Sequence, residues 1–119
     1  MNTVGHLKEI HFLQLTLAEK LQIKTKGRHC PDLAINSIGS SNGKPYKRNF
    51  NRSFYEKYNW LTGCNKTNAL YCFPCLLYGG EPAWTSVGMT DLNHLTRNLK
   101  IHATSNKHLN NIVDLSYLE

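Results

Sequence analysis

Residues 70–80 read LYCFPCLLYGG and residues 100–109 read KIHATSNKHL. Cys72 and Cys75 stand two residues apart in an apolar run; 26 residues separate Cys75 from His102, and five separate His102 from His108. A tetrahedral zinc ion takes thiolates that the backbone holds close together, as a Cys-x-x-Cys hairpin does, and imidazoles from a helical segment packed over that hairpin. The long middle interval leaves room for the loop YGGEPAWTSVG, residues 78–88, and for such a helix. Either half alone recurs by chance. Together they nominate Cys72, Cys75, His102 and His108 as the ligands of one structural Zn2+.

The chief rival is a redox pair, since CFPC carries proline before its second cysteine,. That chemistry needs the first thiol at a helix start inside a βαβ unit, and Gly79 and Gly80 follow Cys75 too soon for one,. Of the remaining thiols and imidazoles, Cys64 reads as a turn or core residue, Cys30 as part of a basic linker, and His94 as packing or surface. His6, His11 and His29 read as incidental.

Downstream, MTDLNHLTRNLKIHATSNKHLNNIVDL (89–115) has Thr90 as a cap and Leu92, Leu95, Leu99 and His102 at helical intervals,. Ser105 caps a second helix with His108, Ile112 and Leu115 on one side, so both histidines are expected to face inward. Upstream, FNRSFYEKYNWL (50–61) places Phe50, Phe54, Tyr58 and Leu61 on one helical face. After it the chain is expected to turn through Gly63 and Asn65 into a short strand, the cysteine knuckle and a second strand ending at Gly79 and Gly80,. LTLAEKLQIK (15–24) has Thr16 and Glu19 at capping-box spacing and predicts a helix over 17–24,. Residues 25–48, rich in Gly, Ser, Asn and Pro, predict an extended or mobile linker,.

The chain has 119 residues and a net charge of +6. That length suits one modest domain, burying roughly two thirds of its unfolded surface. Apolar runs are too short to cross a bilayer,. Lys8, Glu9 and His11 interrupt the opening stretch where a signal peptide needs an apolar core, so the expectation is a chain that is not secreted and thiols kept reduced,. Nine basic residues against two acidic ones between Lys20 and Lys57 leave +7 there, whereas from Tyr58 onward the charges balance. A basic stretch of this kind holds a polyanion by displacing counterions. With four protein ligands on the metal no position remains for an activated water, and neither an acidic pair or triad at a recognisable spacing nor a phosphate-cradling glycine loop occurs,. The chain is therefore expected not to be an enzyme and to take no small-molecule substrate.

At this point several stretches together resemble the TTF-type zinc finger of hAT-family transposases and of transposase-derived MYM-type zinc finger proteins: EKLQIKTKGRHCPDL, YKRNFNRSFYEKYNWL, NALYCFPCLLY and WTSVGMTDLNHLTRNLKIHATSNKHLNN. The resemblance implies a nuclear module that binds zinc through Cys72, Cys75, His102 and His108 and binds DNA. The chain departs from the family at GRHCPDL, where relatives more often have Gly-Arg-Pro. Such transposases continue into a catalytic domain and a dimerisation region, and neither pattern occurs in these residues, so transposition is not assigned.

The resulting expectation is a small α+β zinc-stabilised domain with a cysteine-knuckle β-hairpin packed on helices. It spans residues 46–117, preceded by a helical segment (1–24) and a basic flexible linker (25–45). The DNA contacts are assigned to Lys24, Lys26, Arg28, Lys47, Arg48 and Arg52, with Arg97 and Lys100 on the histidine-bearing helix. The alternative is a zinc-stabilised protein-interaction module that docks a partner on an aromatic surface around Trp60 and Trp84.

Overall fold

The architecture, taken from a computed structural model, is described for residues 14–33, 35–41 and 44–118, with 36–41 and 44–49 described as backbone. The expected helical segment therefore falls outside the described residues over 1–13.

Helix α1 (Leu17–Lys26) begins at Thr16, whose hydroxyl accepts from the Glu19 amide at 3.2 Å while the Glu19 carboxylate accepts from the Thr16 amide at 3.3 Å. This reciprocal pair satisfies two donors that a helix start otherwise leaves free. Gly27, at φ 74°, ends the helix. Strands β1 (Asn36–Ser41) and β2 (Lys44–Asn49) then pair antiparallel, with Ser41 opposite Lys44 and Asn36 opposite Asn49. Helix α2 (Ser53–Lys57) leads to strands β3 (Leu61–Cys64) and β4 (Ala69–Cys72), again antiparallel, with Leu61 opposite Cys72. Helix α3 (Phe73–Tyr78), the single turn α4 (Pro82–Thr85), a 3-10 turn (Leu92–His94), α5 (Leu95–Ala103) and α6 (Asn106–Ser116) complete the order. The result is a small mixed α+β fold with a two-stranded hairpin packed on helices.

All eight positions of β3 and β4 are buried. Leu61, Leu70, Cys72, Cys75, Leu95 and Leu99 share one core with Trp60 and Trp84. Side chains on both faces of a hairpin are buried only when something covers each face, and here the segment before β1 supplies part of one cover. Thr62, wholly buried, donates its hydroxyl to the His29 carbonyl at 2.6 Å and accepts from the His29 amide at 3.1 Å. The Gly63 amide donates to the same carbonyl at 3.1 Å. Gly63 is glycine because a Cβ there would lie 2.5 Å from the Tyr55 hydroxyl, which donates to the Pro31 carbonyl,.

Three expectations change. Residues 25–48, read as a linker, carry a strand pair, and Leu33 and Ile35 are buried in the core. Turn-forming composition marked a loop but is equally the composition of a hairpin tip and its approaches. The helix expected over 50–61 is only the five residues of α2: Tyr58 is extended at ψ 95°, which turns Trp60 inward and starts β3. The strand expected after the cysteines is α3, with Pro74 in its first turn and Gly79 at φ 91° beyond its end,. The inward stripe of Leu92, Leu95, Leu99 and His102 is buried as its spacing implied.

Leu99 has no exposed surface and lies in the middle of that stripe. Leu99→Ala is expected to cost about 2–5 kcal/mol, read as a lower urea midpoint of the metal-loaded protein with an unchanged slope.

Candidate metal centre

Each element delivers one donor for a local reason. Cys72 is the last residue of β4 and the N-cap of α3, and Cys75 sits one turn into that helix, so a strand-to-helix turn holds both sulfurs at one spot. The Phe73 amide donates to the Trp60 carbonyl at 2.8 Å and fixes the turn against the preceding loop. His102 closes the inward stripe of α5. Ser105 starts α6 with extended backbone and donates its hydroxyl to the His102 carbonyl at 2.9 Å, so the break between helices is short and His108 comes round to the same point.

All four residues are buried, and their donor atoms lie within 4.8 Å of one another. Cys72 Sγ is 3.2 Å from His108 Nδ1, Cys75 Sγ is 3.6 Å from His102 Nε2, and Cys75 Sγ is 3.9 Å from His108 Nδ1. A tetrahedral ion at the usual zinc–sulfur and zinc–nitrogen lengths would hold sulfur and nitrogen about 3.6 Å apart. The observed separations straddle that figure. These residues therefore fit a metal ion, and zinc is the usual occupant of such a donor set. His102 would use Nε2 and His108 Nδ1.

Around the donors the protein is buried and mostly aromatic. Trp60 packs on the His108 ring with centroids 4.6 Å apart and Trp84 on the His102 ring at 5.1 Å, and the indoles meet each other at 5.8 Å. The His102 Nδ1 side faces Glu81 Oε1 at 3.2 Å, and Asn111 Nδ2 donates to Cys75 Sγ at 3.3 Å. Burial pushes the Cys72 thiol up, while a hydrogen bond from the Cys72 thiol, aided by His102, His108 and Asn111, holds Cys75 far below the usual thiol range. A bound cation would hold both sulfurs as thiolates, the ligating form.

The redox alternative finds its first thiol at a helix start, since Cys72 is the N-cap of α3. The preceding strands, however, form an antiparallel hairpin rather than a βαβ unit, and each sulfur faces imidazole nitrogen. No disulfide joins Cys30, Cys64, Cys72 or Cys75 to another of them. Cys64 is buried in β3, Cys30 is half-buried against the core, and His94 is exposed, 2.7 Å from the Asp91 carboxylate.

The cationic residues are dispersed. Arg28 donates to the Tyr58 and Leu61 carbonyls at 3.2 and 2.8 Å, and Lys24 donates to the Leu118 carbonyl at 2.7 Å, so both tie the lead-in segment to the rest of the molecule. Arg52 is exposed and 3.6 Å from the Asp32 carboxylate. Lys26 is exposed near the end of α1. Lys47 and Arg48 lie on β2, opposite Ile38 and Ser37, and their side chains fall outside the described residues. Arg97 and Lys100 are exposed on α5. Trp60 and Trp84 are 7% and 2% exposed, so the aromatic docking surface expected around them is instead the wall of the metal centre. Packing decides this; no periodicity distinguishes a tryptophan that caps a buried site from one that faces a partner.

No protein-family profile, curated protein or solved structure matches the chain. Among the described residues no helix is long and apolar enough to cross a membrane.

Gly80 passes so close to the sulfur that a Cβ there would stand 2.9 Å from both Cβ and Sγ of Cys75. Gly80→Ala is therefore expected to push the thiolate out of line and weaken metal binding by at least tenfold in chelator competition, whereas Gly79→Ala, with open space around it, would test backbone strain without that contact. Native mass spectrometry should find one metal ion per chain, absent from His108→Ala, and a chelator should remove most of the cooperative unfolding transition.

Proposed function

We propose that this chain is a zinc-dependent DNA-binding module of the TTF type, nuclear in location and without catalytic activity of its own. The observation that carries the DNA assignment is the division of labour on α5. Leu95, Leu99 and His102 face the core, and Arg97 and Lys100, three residues apart, lie on the opposite, exposed side. Among the described residues neither cation has an acidic partner. An ion that pins His102 would hold this helix rigidly against the hairpin and so present two positive charges at a fixed spacing. Such a face suits phosphates, which supply affinity and register without reading sequence.

Further cationic residues lie well upstream of α5 in sequence. Arg52 is exposed and its contact with Asp32, itself exposed, is of the weak surface kind that a phosphate readily displaces,. The backbone of β2 carries Lys47 and Arg48 close to the 3-10 turn that precedes α5. Lys24 and Arg28 already serve backbone carbonyls, so in this proposal they hold the lead-in in place and contribute to the field rather than to direct contacts. The resemblance to transposase fingers in the knuckle and histidine block points the same way.

A protein-interaction role keeps one specific observation in its favour. Leu109 and Val113 on α6 and Tyr117, its C-cap, lie four residues apart and are 45%, 48% and 79% exposed, an apolar stripe on the outside of the second histidine helix. A partner protein would use this stripe rather than the tryptophans.

Fluorescence anisotropy with a labelled duplex at a series of salt concentrations separates the two. DNA binding should fall linearly with the logarithm of salt, and Arg97→Ala with Lys100→Ala should reduce the slope by about 0.9 for each phosphate contact removed while the metal stays bound. No duplex binding, with salt-insensitive capture of a protein lost on Val113→Asp, would replace the DNA assignment by the other.

A further inference from the structure

The loop that follows the second cysteine wraps back around it. Asn111 Nδ2 donates both to Cys75 Sγ at 3.3 Å and to the Gly79 carbonyl at 2.8 Å. Gly80 follows, in contact with Cys75, and then Glu81, whose carboxylate lies 3.2 Å from His102 Nδ1. Helices α5 and α6 are thus each joined to residues 79–81 by a polar side chain, and both joints converge on ligand positions.

We propose that Glu81 and Asn111 are positioning residues for the metal ion: Glu81 holds the His102 ring with Nε2 toward the sulfurs, and Asn111 restrains Cys75 through an N–H···S bond. This rests on the metal assignment above and extends it to how tightly the ion is held.

The chemistry of each contact supports its role. An ionised carboxylate accepts only, so the ring nitrogen facing Glu81 must carry a proton, and the lone pair is left on Nε2, the atom that faces Cys75 Sγ at 3.6 Å,. His102 is 1% exposed, so its ring is shielded from solvent, whereas Glu81 is half exposed. His108 is held differently: its Nε2 has no hydrogen-bond partner among the described residues, and its ring rests on Trp60. Asn111 is also 1% exposed, and its Oδ1 has no partner among the described residues. A leucine of similar size would bury there without that penalty, so the amide is explained by what its N–H groups do. Turning the amide over would set oxygen against the Gly79 carbonyl and the sulfur, which fixes the orientation. An N–H bond to the sulfur restrains its position and draws charge from a metal thiolate.

The test compares the full chain with Glu81→Ala, Glu81→Gln and Asn111→Leu. Zinc affinity is measured by competition with a chromophoric chelator, and the charge-transfer band is recorded after loading with Co2+. Glu81→Ala and Asn111→Leu should each weaken zinc binding by about 10–100-fold, and Glu81→Gln, which keeps an acceptor, by less. Asn111→Leu alone should shift the sulfur-to-cobalt band to lower energy, a change that a merely structural role would not produce. If Asn111→Leu does not fold, Asn111→Asp, which sets a carboxylate against the thiolate, replaces it with the same expected loss. A wild-type chain that binds one zinc ion while the Glu81 and Asn111 variants match it in affinity would overturn the inference. A wild-type chain that takes up no zinc would instead remove the metal assignment beneath it.

Discussion

Two sulfurs and two ring nitrogens meet in the interior within 4.8 Å of one another, and the elements from β3 onward are disposed around that point. Burying such groups costs free energy unless they are partnered. A single cation of the right size would satisfy all four at once, and its binding free energy would then count toward folding. Such a cross-link would also be long in range, joining the end of β4 and the start of α3 to α5 and α6 across the 26 residues between Cys75 and His102. A core of this size has few other means of holding two short helices on a hairpin of two four-residue strands.

The surroundings of that point follow from it. Imidazoles and thiolates that ligate an ion must be kept from water and from wandering, and here the two tryptophans close over the rings while residues 79–81 close over Cys75. Low polarity strengthens every charge interaction inside. The same arrangement leaves the outer surface to other residues. With its tryptophans committed inward, the molecule exposes a charged side on α5 and an apolar stripe on α6.

Much of this was legible in advance, and which parts were legible has a physical pattern. The capping box at Thr16 and Glu19, the stripe ending in His102 and the helix restart at Ser105 are short-range features, set by backbone geometry over three or four residues. The sequence predicts a strand for the apolar stretch between the cysteine knuckle and Gly79, and it is the end of helix α3, because a short unbroken apolar run has no period to separate the two states,. The strand pair within 36–49 and the docking of Leu33 and Ile35 escaped notice because pairing partners and core contacts are not encoded locally. Glu81 and Asn111 had no signal of spacing or type; only proximity to His102 and Cys75 distinguishes them from any other loop acid or helix amide.

The order of residues alone therefore picked out the four side chains that meet and the helices that carry two of them, because metal ligands have few chemical substitutes and helical faces repeat every three to four positions,. Only the tertiary structure decided which nitrogen of each histidine faces inward, which side chains brace the ligands, that both tryptophans are walls, and that the basic lead-in is docked. Those outcomes depend on atoms brought together from distant parts of the chain, where packing and hydrogen-bond geometry choose among arrangements that the sequence permits equally.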